Sequence, residues 1–258
     1  MLTQARRGAK AAVCAVRGTR AAVSGVFCNQ LSPRTMTNER TCNGEVVTTA
    51  GTKRGALIVM EGCDRTGKTT QAKKLVENMN AKGQKAVFMR FPDRTTQIGG
   101  LIDGYLSQGV DLEDHVIHLL FSANRWEFLP KMKSTLESGT SIIIDRYAFS
   151  GVAFSGAKKG LGLEWCKGSD AGLPKPDAVL FLDLPPEAAA ARGQYGNERY
   201  EKLEFQDRVY QNYMALKDAT WKMIDASKSV EEVESSITAA VDEIVEREKS
   251  GTLPVLWN

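Results

Sequence analysis

Short apolar runs alternate with amphipathic segments over most of this chain. The runs predict five β-strands, at 56–61, 86–91, 141–145, 178–184 and 221–225. The segments between them predict helices, at 69–81, 98–106, 115–136 (bent near Pro130), 200–219 and 230–247, with helical turns at 163–167 and 187–192. Strands without polar alternation are buried on both faces, which is typical of parallel sheets covered by helices. The pattern therefore predicts an α/β fold, with a five-stranded parallel sheet between two layers of helices.

A glycine-rich stretch follows the first strand and precedes the first helix. Residues 62–69 read G-C-D-R-T-G-K-T, which is the spacing G-x4-G-K-[ST] of a phosphate-binding loop (P-loop). Gly62 and Gly67 allow consecutive N–H groups to face one anion, and the following helix points its positive end there. Lys68 can reach the β- and γ-phosphates, and Thr69 offers a hydroxyl to Mg²⁺. This context predicts a nucleoside-triphosphate site.

Charged and aromatic residues cluster where other strands end, the edge at which α/β sheets bind ligands. Arg94 follows the second strand, and Asp145 and Arg146 end the third. Phe121 and Arg125 are four residues apart on one face of the long helix. Core packing for Phe121, surface charge for the arginines and a turn role for Asp145 are the alternatives. Together these residues favour phosphoryl transfer to an anionic acceptor, with Asp145 near the metal.

Residues 192–201 read R-G-Q-Y-G-N-E-R-Y-E, with two glycines, two arginines and two glutamates. Glycine-flanked, charged segments of this kind can close over phosphates. Closure excludes water, which a transferase needs in order not to hydrolyse its donor. The segment therefore predicts a short mobile lid.

The first 52 residues differ in composition from the rest. Up to residue 38 they contain six Arg and Lys residues and no acid, interleaved with Ala and Val, as in a mitochondrial transit peptide. A non-targeting extension is the alternative, and Met36 offers a second start that would give a cytosolic form. We therefore divide the chain into an extension at 1–52 and a catalytic domain at 53–258.

The overall composition limits which kinds of ligand and binding partner are expected. The net charge is +3, and the extension carries that excess, so no basic surface for nucleic acid is expected. None of the five cysteines forms a C-x-x-C pair, and there are two histidines, which argues against zinc or a disulfide framework. No apolar run approaches the roughly 18–20 residues of a membrane span, so no membrane partner is expected.

Several protein classes share a P-loop. A GTPase would need a guanine-reading N-K-x-D motif, which this sequence lacks. A module that only binds nucleotide would not need several arginines facing an acceptor. A small kinase acting on an anionic acceptor is the best interpretation from the residues alone, and a non-catalytic regulatory protein is the alternative.

The motifs also resemble those of the thymidylate kinase family, of the eukaryotic type. The resemblance covers about residues 54–258. It is carried by E-G-C-D-R-T-G-K-T-T at 61–70, R-F-P-D-R at 90–94, H-L-L-F-S-A-N-R-W-E at 118–127, D-R-Y-A-F-S-G at 145–151, G-L-P-K-P-D at 172–177 and E-R-Y-E at 198–201. It implies a P-loop kinase fold, transfer of a phosphoryl group from ATP to dTMP with Mg²⁺, and a homodimer through the helix at 111–129. A related nucleotide kinase with another acceptor is the nearer alternative.

The resemblance also implies roles for single residues. Arg65, Lys68 and Asp145 would be catalytic, and Thr69 and Asp145 would serve the metal. Residues implied at ATP are Gly62, Asp64, Arg65, Thr66, Gly67, Lys68, Thr69, Thr70, Arg192 and Lys228. Residues implied at dTMP are Asp64 at the sugar 3′-hydroxyl, Arg94 and Arg146 at the phosphate, Phe121 and Arg125 at the base, and Tyr200 near the sugar 2′ position.

Overall fold

A computed structural model describes residues 54–192, 198–246 and 253–257. The extension predicted at 1–52 and residues 193–197 of the predicted lid lie outside these ranges.

Five strands form one fully parallel sheet, as predicted. Their order is β2-β3-β1-β4-β5, so β1 lies at the centre, and β3 and β4 flank it. The strands that follow β1 lie on both sides of it in the sheet. The turn after β1 is therefore at the point where the strand order reverses, which is where open α/β sheets bind ligands. The strands are β1 Leu57–Glu61, β2 Ala86–Arg90, β3 Ser141–Asp145, β4 Ala178–Asp183 and β5 Trp221–Asp225.

Helices cover both faces of the sheet. Along β1, Leu57 and Val59 join one apolar cluster, with residues of α4, α5 and α8, whereas Ile58 and Met60 join a second, with α1 and α9. This alternation follows from the two-residue period of a strand, and it confirms the α/β fold. The helices are α1 Lys68–Ala81, α2 Gln97–Leu106, α3 Asp114–Trp126, α4 Leu129–Glu137, α5 Ala148–Gly156, α6 Leu163–Gly168, α7 Pro186–Ala190, α8 Leu203–Leu216 and α9 Val230–Glu246.

Two helix predictions need correction. The long helix predicted at 115–136 is two helices, α3 and α4, and the break precedes Pro130, which lies in the first turn of α4 where its missing N–H costs nothing. The helix predicted from Tyr200 begins at Leu203, because Lys202 is extended (φ −126°, ψ 129°). The helix α5 was missed, because seven of its nine residues are buried and leave no amphipathic period. None of the helices in the described ranges is long and apolar enough to span a membrane.

Candidate active site

The P-loop joins β1 to α1 and has the backbone that its glycines permit. Gly62 and Gly67 have φ of +143° and +93°, and Arg65 between them has φ of +65°. A Cβ atom on Gly62 would lie 2.8 Å from the carbonyl oxygen of Leu182 in β4, so that no larger residue fits there. The loop is therefore folded tightly against the sheet, at the start of α1, as phosphate binding requires.

The Lys68 side chain folds back over this loop and is 5% exposed. Its Nζ donates to the carbonyl oxygen of Cys63 at 2.5 Å and to Oγ1 of Thr66 at 3.1 Å. Burial, together with the nearby Arg146 guanidinium, lowers the pKa of Lys68 to about 8, although Asp145 and Asp64 act in the opposite direction. The ammonium group is therefore held in place but is incompletely charged above neutral pH.

This pKa predicts a pH dependence of ATP binding. The triphosphate favours the protonated lysine, so binding should raise the pKa of Lys68 and take up protons between about pH 8 and 9. We expect ATP affinity to fall as the pH rises through about 8. Isothermal titration calorimetry in buffers of different ionisation enthalpy measures the proton uptake, and Lys68→Met is the control, in which uptake in this range should disappear. Equal uptake by the wild type and Lys68→Met would contradict the assignment.

The end of β3 and the start of α1 bring together two hard oxygen ligands. Thr69 Oγ1 donates to Asp145 Oδ2 at 2.5 Å, and the Asp145 side chain is 1% exposed. Its Oδ1 is buried without a hydrogen-bond partner among the described residues. A buried carboxylate oxygen in this state fits a divalent cation or its water shell. No cluster of three His, Cys, Asp or Glu residues suited to an ion occurs in the described ranges.

A cavity of about 590 Å³, called the central cavity below, opens beside the P-loop at the carboxyl edge of the sheet. Most residues predicted for the site line it together. They are Asp64, Arg65, Gly67, Lys68, Thr69, Thr70, Arg94, Phe121, Arg125, Asp145, Arg146 and Tyr200.

Four predicted site residues do not line the central cavity. Gly62 and Thr66 belong to the P-loop backbone beneath it. Arg192 lies on the other side of the loop, where its Nη1 donates to the carbonyl oxygen of Arg65 at 3.4 Å and its Nη2 to that of Ala226 at 2.6 Å. Lys228 is exposed after β5. Arg192 thus joins the P-loop to the A-S-K segment at 226–228.

Asp64 and Arg146 form an ion pair across the floor of the cavity. Gln206 of α8 holds the same carboxylate, because its Nε2 donates to Asp64 Oδ2 at 2.6 Å and its Oε1 accepts from the Asp64 backbone at 3.1 Å. Burial by itself would lower the pKa of Arg146, but Asp64 and other buried acids outweigh it and raise that pKa further. Arg146 is therefore a permanent cation beside the P-loop.

Two other arginines pair with carboxylates from the last four residues of the predicted lid, 198–201. Arg65 Nε donates to Glu201 Oε1 at 2.9 Å. Arg94 donates through Nη1 to Asp103 and through Nη2 to Glu198, both at 2.8 Å. The segment at 198–201 thus orders one arginine of the P-loop and one arginine after β2.

Arg125 is held by a buried ion pair. It is 2% exposed, and Asp170, in the turn after α6, is fully buried. Two bonds join them, from Nε to Oδ1 at 3.0 Å and from Nη2 to Oδ2 at 2.6 Å. A Cβ atom on Gly151 would lie 2.6 Å from Arg125 Nη2, so this glycine leaves room for the guanidinium. Arg125 therefore faces the cavity in one fixed orientation.

Comparison with known proteins decides the family. The family model for thymidylate kinase matches residues 60–237. The chain belongs to the thymidylate kinase family. It is 54% identical over 208 residues to the thymidylate kinase of Danio rerio and 52% identical over 208 residues to that of Homo sapiens, with 80% of this chain and 98% of each relative covered. The solved structure of thymidylate kinase from Candida albicans superposes with a TM-score of 0.73 at 34% identity, and covers 79% of this chain and 99% of that one.

Within this thymidylate kinase fold, one buried carboxylate was not predicted as part of the site. Glu61, the last residue of β1, accepts hydrogen bonds from the backbone N–H groups of Tyr147 (2.9 Å) and Ser150 (3.0 Å) and from the Tyr213 hydroxyl (3.1 Å). Burial raises the pKa of Glu61, and the Ser150 hydroxyl, the Arg146 guanidinium and these two backbone N–H groups act against that rise. Glu61 thereby fixes the turn that carries Asp145 and Arg146. An acid at the end of an apolar strand was the only available signal.

The sequence interpretation also missed the partners of the predicted cations and acids. Gln206, Glu201 and Asp170 are each buried, and each lies at least 45 residues from the side chain that it holds. A glutamine among the apolar positions of α8 was a weak sequence signal for Gln206. No local pattern marks the other two as partners.

Proposed function

We propose that this protein transfers the γ-phosphoryl group of ATP to dTMP, which gives dTDP for dTTP synthesis. The observation that carries the proposal is that one cavity joins the P-loop lysine to Arg94 and Arg146 and to the Phe121 and Arg125 pair. These are the groups that two nucleotides need when they meet phosphate to phosphate. Membership of the thymidylate kinase family supports dTMP as the acceptor.

On the donor side, the P-loop backbone, with Gly62, Thr66, Gly67 and Thr70, and the Lys68 ammonium would hold the ATP phosphates. Arg192 and Lys228 would lie toward the adenine. Thr69 and Asp145 would hold Mg²⁺, and the buried, unpaired Asp145 Oδ1 fits that role. When bound, Mg²⁺ would neutralise charge on the phosphates.

On the acceptor side, each group has a distinct task. Arg94 and Arg146 would hold the dTMP phosphate, and Phe121 would stack on the thymine. Arg125, fixed by Asp170, would donate to the edge of the base. Asp64, fixed by Gln206, would accept a hydrogen bond from the sugar 3′-hydroxyl. The P-loop thus serves both substrates, through different residues.

The reaction needs no general base, because the attacking phosphate oxygen is already ionised at neutral pH. Catalysis would therefore depend on positioning and on charge neutralisation. Arg65 would stabilise the phosphoryl group in transit. The lid at 192–201 would exclude water from it.

A panel of acceptors tests the proposed function. ADP release is measured with dTMP, dUMP, UMP, CMP, AMP and deoxynucleosides, each with ATP and Mg²⁺, and with EDTA as the control. We expect the highest kcat/KM with dTMP and none with EDTA. Preference for another monophosphate would favour a related nucleotide kinase, and no turnover with any acceptor would favour a non-catalytic nucleotide-binding protein.

We propose further that the protein is a homodimer through α3. On this helix Val116 and Leu119 are 46% and 49% exposed, and Trp165 of α6 is 45% exposed and lies against His115 and His118. Exposed apolar residues that cluster in this way are typical of protein interfaces.

Leu119→Glu should therefore give a monomer, because a carboxylate cannot be buried unpaired in an apolar interface. Sedimentation velocity measures the change. Met223→Glu is the matched control, since Met223 on β5 is 37% exposed but lies outside this face. A monomeric wild type, or a dimer that tolerates Leu119→Glu, would contradict the proposal.

We propose that residues 1–52 direct the protein to mitochondria and that initiation at Met36 gives a cytosolic form. The support is the acid-free, arginine-rich composition of the first 38 residues. A fluorescent fusion to residues 1–52 should localise to mitochondria, and a fusion of the chain that begins at Met36 should not. The same distribution for both fusions would exclude a targeting role.

A further inference from the structure

One wall of the central cavity is built from aromatic rings around Tyr200. This residue is 8% exposed and lines the cavity. Its ring stacks on Phe205 at 5.0 Å with an interplanar angle of 8°, and it lies 5.6 Å from the Phe154 ring. Its hydroxyl lies 3.4 Å from the hydroxyl of Tyr105 in α2. The position of this wall depends on what holds the two hydroxyl groups.

Lys158, which follows α5, donates to the Tyr105 hydroxyl and lies against both tyrosine rings. Its side chain is 7% exposed, and it does not line the cavity. Its Nζ donates to the Tyr105 hydroxyl at 3.1 Å and to Asp114 Oδ1 at 2.8 Å. The same ammonium lies 5.2 Å from the centroid of the Tyr105 ring and 5.3 Å from that of the Tyr200 ring. One buried cation thus contacts both tyrosines.

The other charged groups described near Tyr105 and Tyr200 are paired with groups of opposite charge. Arg199 lies 4.2 Å from the Tyr105 ring centroid and pairs with Asp111 at 2.6 Å. Asp114, at the start of α3, is the carboxylate paired with Lys158, and its side chain is 43% exposed. Burying an ammonium group is costly unless its partners satisfy it, so its placement between two tyrosines fixes their relative position.

The Tyr200 wall lies beside the group that would bind the acceptor sugar. Gln206 Nε2 donates both to Asp64 Oδ2 at 2.6 Å and to the Tyr200 carbonyl oxygen at 3.0 Å. If Asp64 accepts a hydrogen bond from the sugar 3′-hydroxyl, the Gln206 amide links Tyr200 directly to the residue that binds that sugar. This step rests on the function proposed above.

We propose that Lys158 is a positioning residue for sugar selection in the acceptor. Through Tyr105 it holds the Tyr200 ring at the surface of the cavity. A 2′-deoxyribose then fits beside the ring, and a ribose with its 2′-hydroxyl does not. Lys158 touches neither substrate, and its effect passes through the two tyrosines.

The test compares dTMP with ribothymidine 5′-monophosphate, which differs from dTMP only in the 2′-hydroxyl. In Lys158→Met, which keeps the length of the side chain but removes the cation, the ratio of kcat/KM values for dTMP over the ribonucleotide should fall about tenfold, the usual scale for a lost hydrogen bond to a charged donor. The change should appear mainly in the KM values of the acceptors, and the KM for ATP should stay the same.

Further variants separate positioning from a general loss of structure. Lys158→Arg retains the cation and should restore most of the discrimination. Tyr105→Phe removes the shared hydroxyl while it keeps the ring, so its ratio should fall as well, and it decides the test if Lys158→Met does not fold. Lys82→Met, in an exposed pair with Asp242, is the control and should leave the ratio unchanged.

An unchanged ratio in folded Lys158→Met or Tyr105→Phe, even with lower activity on both acceptors, would overturn the assignment of Lys158 and leave the proposed function intact. A wild-type protein that phosphorylates neither acceptor would overturn the proposed function itself, and the Lys158 assignment with it.

Discussion

Replacing Arg65 by alanine is expected to lower kcat by about 10³-fold, the scale on which a transition-state arginine contributes to phosphoryl transfer, and to change ATP affinity far less. Arg65 lines the central cavity from the middle of the P-loop, and Glu201 holds it there through Nε at 2.9 Å. ATP would be held mainly by the loop backbone and Lys68, which this substitution leaves in place. Steady-state kinetics and a direct ATP titration on the same sample measure the two effects.

Arg65→Lys refines this test, because lysine keeps the charge but not the planar, bidentate geometry of the guanidinium. We expect it to recover only part of the lost rate. Near-normal turnover by Arg65→Ala would rule out a role for Arg65 at the phosphoryl group. A parallel loss of ATP affinity and kcat would instead assign Arg65 to donor binding.

Replacing Asp170 by alanine is expected to lower the free energy of unfolding by about 3–5 kcal/mol, because it leaves the Arg125 guanidinium buried without its partner. The two side chains are 3% and 0% exposed, so that solvent cannot screen the loss. Urea denaturation measures the change. The folded variant should also show a raised KM for dTMP with little change for ATP, since Arg125 lines the cavity, where it would donate to the base of dTMP.

Asp242→Ala is the matched control for this prediction. Asp242 pairs with Lys82 at 3.0 Å, but both side chains are 44–46% exposed, and exposed pairs contribute at most about 1 kcal/mol. Similar losses of stability in Asp170→Ala and Asp242→Ala would contradict the structural role of the buried pair. A stable Asp170→Ala with unchanged KM for dTMP would also remove the argument that Asp170 orients Arg125.

Local sequence patterns were sufficient for the sheet, the P-loop and the side chains at the strand ends. The central strands β1, β3 and β4 are apolar runs that end in an acid, and Gly62 and Gly67 occur where the backbone has positive φ. Because parallel strands end at one edge, sequence could also place Asp145 and Arg146 beside the loop. These predictions needed only the chain direction and the period of each element.

The same patterns could not identify hydrogen-bond partners that are distant in the sequence. Asp170 is 45 residues from Arg125, and Glu201 is 136 residues from Arg65, so that only the folded chain shows which acid meets which arginine. The helix α5 was missed for a related reason, since burial on all sides removes the polar face that marks a helix in sequence. The sequence patterns therefore did not identify the residues that fix the orientation of the predicted site side chains.

Besides Arg125, three arginines of the site pair with carboxylates in the described part of the chain. Arg65, Arg94 and Arg146 contact Glu201, Glu198 and Asp64 respectively. Substrate phosphates carry more charge than a carboxylate and would replace Glu201 and Glu198 at the first two arginines. Ordering these long side chains before substrate binds lowers the entropy lost on binding.

Product analysis tests the central claim most directly. Purified protein is incubated with ATP, Mg²⁺ and either dTMP or thymidine, and the nucleotides are separated by anion-exchange chromatography. We expect dTDP and ADP in equal amounts from dTMP, and no dTMP from thymidine, because Arg94 and Arg146 line the cavity, where they would hold the acceptor phosphate. ADP without dTDP, or phosphorylation of thymidine in preference to dTMP, would contradict that claim.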